Sequence, residues 1–206
     1  MDLMTLDLAK EVHEAEPDTA EYVGFWPRVG ARAVDLALHY LLTFLAAISG
    51  GLLFVLAERF TGRSAQDAIQ QLRNGKFLLI VCGTVGMVLY GSLCESIHGS
   101  TLGKRLMGFV VLHESKRTCG FWAAQGRQWA FLVDSLLCGL VGGYAMSGNL
   151  REQRYGDRWC RTVVVRRKSA PPNALRSDLR FFGALFLAGA VDGLLLMLPY
   201  CWIVAG

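Results

Sequence analysis

The chain has 206 residues, of which 53% are hydrophobic, and its mean hydropathy of +0.35 is high for a soluble protein. The net charge of +4 is modest, and the basic segments are not interleaved with aromatic residues, which argues against a nucleic-acid partner. The six cysteines are scattered without a C-x-x-C spacing or a histidine cluster, so we predict no metal site and no cofactor.

Four apolar runs approach or exceed the ~20 residues that span a bilayer. They cover residues 36–57, 77–93, 130–146 and 181–206. None has the polar stripe of a helix in a soluble bundle. We therefore predict an all-α membrane protein with three or four transmembrane helices. The third run is rich in glycine and either spans the bilayer or is re-entrant.

The segments around these runs divide the chain further. Residues 1–23 form an acidic N-terminal arm, and residues 24–166 form the transmembrane domain. Residues 167–176 contain a Pro-Pro pair and read as a linker, followed by an additional transmembrane helix over 177–206. The segments 109–112 and 162–165 are rich in β-branched residues and are predicted to pair as a small sheet on the membrane surface.

The first and third runs share a charge pattern, in which an arginine precedes an aspartate by seven residues. The pairs are Arg28 with Asp35 and Arg127 with Asp134. Seven residues are two helical turns and ~10.5 Å of rise, so each pair lies on one face. An aspartate at that depth costs a few kcal/mol unless it is paired or wetted. The pattern predicts that the arginines are partners of these acids.

For the other ionisable residues, the predictions rest on their spacing and on their position within the apolar runs. Asp35 and His39 are four residues apart and share a helix face, which predicts either a proton-relay or cation-binding pair or a hydrogen bond that orients Asp35. Asp192 lies near the middle of the last run. Glu95 and His98 lie at the end of the second run, where we expect them to be interfacial and wetted.

The basic stretch 151–168 surrounds Asp157 and reads as a solvated salt-bridge patch that contacts anionic lipid headgroups. The distribution of basic residues also bears on topology. If the third run does not span, the connection 58–76 carries only four of the 21 basic residues, and the other seventeen lie on or near the cytoplasmic side. We favour this arrangement because it is the more strongly biased.

Three motifs occur in order along residues 24–166. They are Gly-Phe-Trp-Pro-Arg at 24–28 leading to Asp35, Thr-Leu-Gly-Lys-Arg-Leu-Met-Gly at 101–108 and Gly-Asp-Arg at 156–158. In these motifs the chain resembles the RDD family of small bacterial membrane proteins, named for one arginine and two aspartates. The resemblance implies that Arg28, Asp35 and Asp157 are the named residues. The chain departs from the family pattern at residues 159–161, in the acidic arm and in the helix after Pro172.

The resemblance implies no defined activity beyond suggested transport of unidentified ligands. Our first hypothesis is therefore transport of ions or small solutes, such as cation/proton exchange, by an oligomer in the bacterial inner membrane. The candidate ion or ion-pair residues are Arg28, Asp35, His39, Arg127, Asp134, Asp157 and Asp192. The alternative is a scaffold or assembly subunit that binds other membrane proteins. No hydrolytic arrangement or cofactor motif stands out, so we do not expect an enzyme.

Overall fold

The computed structural model describes residues 20–61, 65–134 and 140–205, so residues 1–19 of the predicted acidic arm lie outside the described residues. Two short 3-10 turns, Arg167–Ser169 and Pro172–Ala174, connect the sheet to the last helix. The other elements are α1 (Phe25–Thr61), α2 (Ala65–Asn74), α3 (Lys76–Ile97), α4 (Leu102–Leu106), β1 (Phe109–His113), α5 (Phe121–Asp134), α6 (Leu140–Ser147), α7 (Tyr155–Trp159), β2 (Thr162–Arg166) and α8 (Asp178–Ala205).

Three helical segments are long and apolar enough to cross a membrane: Phe25–Glu58, Lys76–Ile97 and Pro172–Trp202. Helix α8 packs against both α1 and α3. Large apolar side chains remain exposed along these helices, for example Phe44 on α1 and Phe186 on α8. Lipid chains would cover such surface. The predicted all-α membrane fold is confirmed.

The third apolar run does not form one long helix. Helix α5 ends at Asp134 and α6 begins at Leu140, with residues 135–139 outside the described residues. The eight residues of α6 span only ~12 Å, against a hydrocarbon core of ~30 Å. Among the described residues the candidate spans therefore number three, not four.

The two predicted strand segments pair as an antiparallel sheet, with Phe109 opposite Arg166 and His113 opposite Thr162. Alternate residues of β1 pack into separate apolar clusters, so the sheet is buried on both faces. Ala170 and Ala174, in the predicted linker, pack against one of these faces. The chain before α1 lies along β2, where the Val23 backbone N–H donates to the carbonyl of Val164 at 3.1 Å.

This contact joins the start of α1 to the segment between α3 and α8. Three spans place both on the same side of the membrane, and we call the described residues between 98 and 171 the surface layer. With three spans, the connection between α1 and α3, which has few basic residues, would lie on the other side, and this is the arrangement that the charge bias favours. Helix α1 has 37 residues and is ~55 Å long, so it extends beyond the hydrocarbon core and its first turns reach the surface layer.

Candidate functional site

Asp157 is the centre of a buried group of charges. The Nη1 of Arg28, on α1, lies 2.5 Å from Oδ2 of Asp157, and the Nε of Arg127, on α5, lies 3.1 Å from Oδ1. Arg154, just before α7, lies 3.7 Å away. All three arginines come from different elements, so Asp157 ties α1, α5 and α7 together.

The position of Asp157 depends on the start of α7. The Arg154 backbone N–H donates to Oδ2 of Asp157 at 3.2 Å, which satisfies a free donor at the helix start. A Cβ on Gly156 would lie 2.7 Å from the Cβ of Ala130, so glycine lets α7 approach α5 closely. The prediction of a solvated patch is wrong, because the Asp157 side chain is fully buried. Burial would raise the pKa of Asp157, but the charges of Arg127, Arg154 and Arg28 hold this pKa below its ordinary value.

Glu95 forms the second centre of the same group. It is fully buried rather than wetted, because α5 and α4 of the surface layer cover the end of α3. Lys104 forms an ion pair with Oε1 of Glu95, and the Nε2 of Gln128 donates to the same oxygen at 3.0 Å. Arg127 lies 3.7 Å from Oε2 and so bridges Glu95 and Asp157. We call Arg28, Glu95, Lys104, Arg127 and Asp157 the ionic cluster.

Asp35 contacts neither His39 nor Arg28 within ion-pair distance among the described residues, so both predicted pairings are wrong. Its carboxylate instead accepts hydrogen bonds from Thr101 Oγ1 at 2.6 Å, the Gly103 N–H at 2.8 Å and the Tyr90 hydroxyl at 3.3 Å. Asp35 therefore holds the first turn of α4 against α1.

Gly103 explains why this contact is so close. A Cβ at Gly103 would lie 1.9 Å from the carbonyl oxygen of Ala31. The backbones of α1 and α4 therefore touch, and no larger residue fits without a shift. In the Thr-Leu-Gly-Lys motif, Thr101 and Gly103 hold Asp35, and Lys104 holds Glu95.

His39 pairs with Asp192 instead. The Nδ1 of His39 lies 2.8 Å from Oδ2 of Asp192, and the two side chains are 13% and 1% exposed. The other oxygen, Oδ1, has no hydrogen-bond partner among the described residues. It lies beside α3, where a Cβ on Gly86 would meet it at 2.2 Å. The pair therefore lies between α1, α3 and α8, near the middle of the spans.

Asp134 is not the partner of Arg127, because Arg127 points toward Asp157 and Glu95. Asp134 accepts a hydrogen bond from the Gly156 N–H at 3.3 Å, and its Oδ1 has no partner in the described part of the chain. Burial raises the pKa of Asp134, and the nearby charge of Arg154 opposes this only in part.

His98 is also buried, contrary to prediction, and its ring stacks edge-on against Phe181 with centroids 5.0 Å apart. Burial and the charges of Arg105 and Arg167 lower the pKa of His98 to about 4. We therefore expect a neutral ring that packs α8 onto the end of α3.

A cavity of about 350 Å³ lies beside the ionic cluster. Its wall combines apolar side chains of α1 and α5 with charged ones. The charged residues that line it are Arg28, Arg32, Asp35, Glu95, Lys104, Arg127, Asp134 and Arg154. Four of the seven predicted site residues therefore line one cavity, Asp157 lies behind it, and His39 and Asp192 form a separate site.

Sequence reasoning missed Glu95, Lys104, Tyr90 and Arg32 as site residues. Lys104 lies in a recognised motif, which was a usable signal. Glu95 ends an apolar run, a position that by itself predicts exposure. Its burial depends on the surface layer covering the helix end.

The RDD family model matches residues 22–161, which is more than half of the chain. The matched region contains Arg28, Asp35 and Asp157 and ends before α8. No curated protein and no solved structure matches the chain. The match and the three long apolar helices agree, and the chain belongs to the RDD family as a multi-pass integral membrane protein.

Proposed function

We propose that this protein transports an ion or small solute across the bacterial inner membrane, with the His39–Asp192 pair as its proton-responsive group. The observation that carries the proposal is the 2.8 Å contact between these side chains in the interior of three membrane-crossing helices. Ionisable side chains are costly at this depth and are usually associated with ion or proton pathways. Histidine is the side-chain type whose charge changes near neutral pH.

The surroundings of Asp192 support a role in carrying charge. Among the described residues, Asp192 has His39 as its one hydrogen-bond partner, and its Oδ1 remains without a hydrogen bond there. The net charge of the pair therefore changes whenever either member binds a proton. A pair that gains a proton can release a cation, which is the elementary step of exchange.

Asp35 is a poorer carrier. Two hydroxyl groups and one backbone N–H hold its carboxylate. An Asp35→Asn change would place an amide among these donors and disturb the contact between α1 and α4. Loss of flux in that variant would not separate transport from folding, so Asp192 is the better test.

Three spans leave little room for a pathway within one subunit, so the proposal includes a homo-oligomer or other membrane subunits. The protein would act without catalysing a covalent reaction. The surface layer would face the cytoplasm, because it carries most of the basic residues.

The test is ion-driven pH change in proteoliposomes that contain the full chain. We compare wild type with Asp192→Asn, and use Asp178→Asn as the matched control. Asp178 lies on the same helix but is largely exposed at its start. We expect flux in wild type and in the control, and at least a tenfold loss in Asp192→Asn. Absence of flux in wild type with Na⁺ and K⁺ over a range of pH would exclude the exchange proposal.

A scaffold function is the second candidate, and the ionic cluster favours it. Each of its five members has an oppositely charged partner within 4 Å, which suits a structural lock. Under this alternative, wild type shows no flux, and purification under mild conditions recovers a defined membrane partner.

A further inference from the structure

Two arginines on the cavity wall differ from those of the ionic cluster. Arg32 has no carboxylate within ion-pair distance among the described residues, and its Nη1 reaches only Gln128 Oε1, at 3.4 Å. Its Nε is buried without a hydrogen-bond partner there. Arg154 approaches Asp157 only at 3.7 Å, and its Nε also lacks a hydrogen bond. Each guanidinium group therefore has an N–H donor without a hydrogen-bond partner among the described residues.

These two guanidinium groups contact the same aromatic ring. The Arg32 guanidinium lies 4.5 Å from the centroid of the Phe131 ring, and that of Arg154 lies 5.6 Å from the same centroid. Phe131 is itself part of the cavity wall. The Phe131 ring therefore contacts two guanidinium groups, and both of these arginines line the cavity.

The charge balance around the cavity is positive. Five cationic side chains line it, whereas three acids line it and Asp157 lies directly behind. Hydrogen bonds within the fold already engage Asp35, and ion pairs engage Glu95 and Asp157. Asp134 lies near Arg154 and offsets part of its charge, so one positive charge in this group remains unmatched. It lies on the side of Arg32 and Arg154, and it favours an anion in the cavity.

Apart from Thr101 and Gln128, the rest of the wall is apolar and includes Phe25, Val29 and Leu36. Exposed tryptophans lie on the elements that border it, namely Trp26 on α1 and Trp122 on α5. Tryptophan at such exposed positions is typical of the headgroup level of a bilayer. The cavity therefore combines a cationic end with an apolar wall, close to the membrane–water interface.

We propose that this cavity binds a phosphate group carried on an apolar body, with Arg32 and Arg154 as the phosphate ligands. Planar guanidinium forks match phosphate oxygens, and a volume of about 350 Å³ admits more than the phosphate alone. The phosphate can belong to a phospholipid headgroup or to a soluble phosphoester. This binding site goes beyond the transport proposal and does not depend on it, because binding is measured at equilibrium and transport as flux.

The experiment uses the full chain, delipidated in a non-ionic detergent. Three probes are titrated and followed by calorimetry and thermal stabilisation: dioctanoyl phosphatidic acid, dioctanoylglycerol and inorganic phosphate. Dioctanoylglycerol has the same acyl chains without the phosphate. We expect phosphatidic acid to bind and dioctanoylglycerol not to bind. Binding of inorganic phosphate at the same site would indicate a soluble phosphoester as the natural source, and binding of phosphatidic acid alone would indicate a lipid headgroup.

The decisive variant is Arg32→Gln, which we expect to weaken phosphatidic acid binding about tenfold through loss of a charge-assisted hydrogen bond. The matched control is Arg166→Gln, because Arg166 also stacks on an aromatic ring, Phe109, but its side chain is 46% exposed and does not line the cavity. We expect the control to change affinity less than about twofold, since an exposed charge contributes little.

Arg32→Lys provides a second variant if Arg32→Gln does not fold. It keeps the charge but loses the planar fork, and we expect binding about threefold weaker or more. Three results would overturn the proposal: no binding of either phosphate probe, equal binding of dioctanoylglycerol, or equal losses in the Arg32 variant and the Arg166→Gln control. The last result would indicate attraction to the basic surface as a whole.

Discussion

The ionic cluster and the His39–Asp192 pair are both buried charge sites, but they are built differently. In the cluster, two acids share three cations, and Arg127 contacts both acids. In the pair, the acid has one partner in the described part of the chain, and that partner is a histidine. The cluster lies where α1, α3 and the surface layer meet, whereas the pair lies among the spans.

The difference shows how the same residue types serve two purposes. The nearby arginines keep Asp157 ionised at any physiological pH, so this carboxylate does not respond to a proton and instead joins elements. The other acid, Asp192, has a histidine as its partner among the described residues, which is why we propose that site as the proton-responsive one. Burial of an acid in a membrane protein is therefore not sufficient evidence of a carrier role, because the number and kind of its partners decide.

The largest effect is expected for Asp157→Asn. Removing this carboxylate leaves Arg28 buried without its counter-charge and leaves Arg127 with Glu95 alone, and breaking a buried ion pair in this way costs about 3–5 kcal/mol. We expect a marked fall in the thermal unfolding temperature of the purified protein. The control is Asp178→Asn, whose exposed pairs contribute less than about 1 kcal/mol. Equal unfolding temperatures in the two variants would contradict the role of the cluster.

The pH dependence of that difference is a sharper test. The folded-state pKa of Asp157 is below the unfolded value of about 3.9, so its stabilisation is fully present above pH ~4. It is lost as the pH falls through the still lower folded-state pKa. The gap between wild type and Asp157→Asn should therefore be constant from pH 7 to about pH 5 and shrink in stronger acid.

The position of Asp192 beside His39 can be tested by a substitution on α3. Gly86→Ala would place a methyl group 2.2 Å from Asp192 Oδ1, which displaces that side chain from His39. We expect a loss of about 1–3 kcal/mol, as for overpacking, together with loss of proton-linked flux.

Gly83→Ala is the matched control for that change. It lies on the same helix, and its added methyl group would make only ordinary contacts, 3.8 Å from His39 and Leu196. Its unfolding temperature should be unchanged or slightly raised because alanine is the better helix former. Similar behaviour of the two alanine variants would show that the fit of Asp192 against α3 is unimportant.

A small gain in stability is expected for Asp134→Asn. Burial raises the folded-state pKa of Asp134, so ionisation reduces stability as the pH rises from the unfolded value through the folded one. Asparagine cannot ionise and keeps an oxygen for the Gly156 N–H. We expect about 1 kcal/mol of added stability at neutral pH and none below pH ~4, measured by thermal unfolding.

Asp134→Ala separates the effect of the Asp134 charge from the effect of its hydrogen bond to Gly156. It removes the charge but also the acceptor for Gly156, which costs about 1 kcal/mol. It should therefore be less stable than Asp134→Asn. A stabilised alanine variant would mean that the hydrogen bond to Gly156 contributes nothing.

Features that depend on nearby residues were predictable from the sequence. Apolar runs long enough to cross a bilayer predicted the three spans, and the β-branched segments predicted the strand pairing. The motif that contains Lys104 was visible, and Arg28, Asp35 and Asp157 were identified before their contacts were known. These inferences use composition, length and order, which tertiary contacts do not alter.

The partner of each charge was decided by the tertiary structure. Spacings of four and seven residues showed correctly which residues share a helix face, and every pairing drawn from them was wrong. Asp35 faces α4, His39 faces α8 and Arg127 faces α7. Helical period specifies the direction of a side chain around its own axis, but the element across from that face is set by packing of distant segments. For the same reason, only the folded chain shows that Glu95 is buried and that Arg32 is left with free donors beside a cavity.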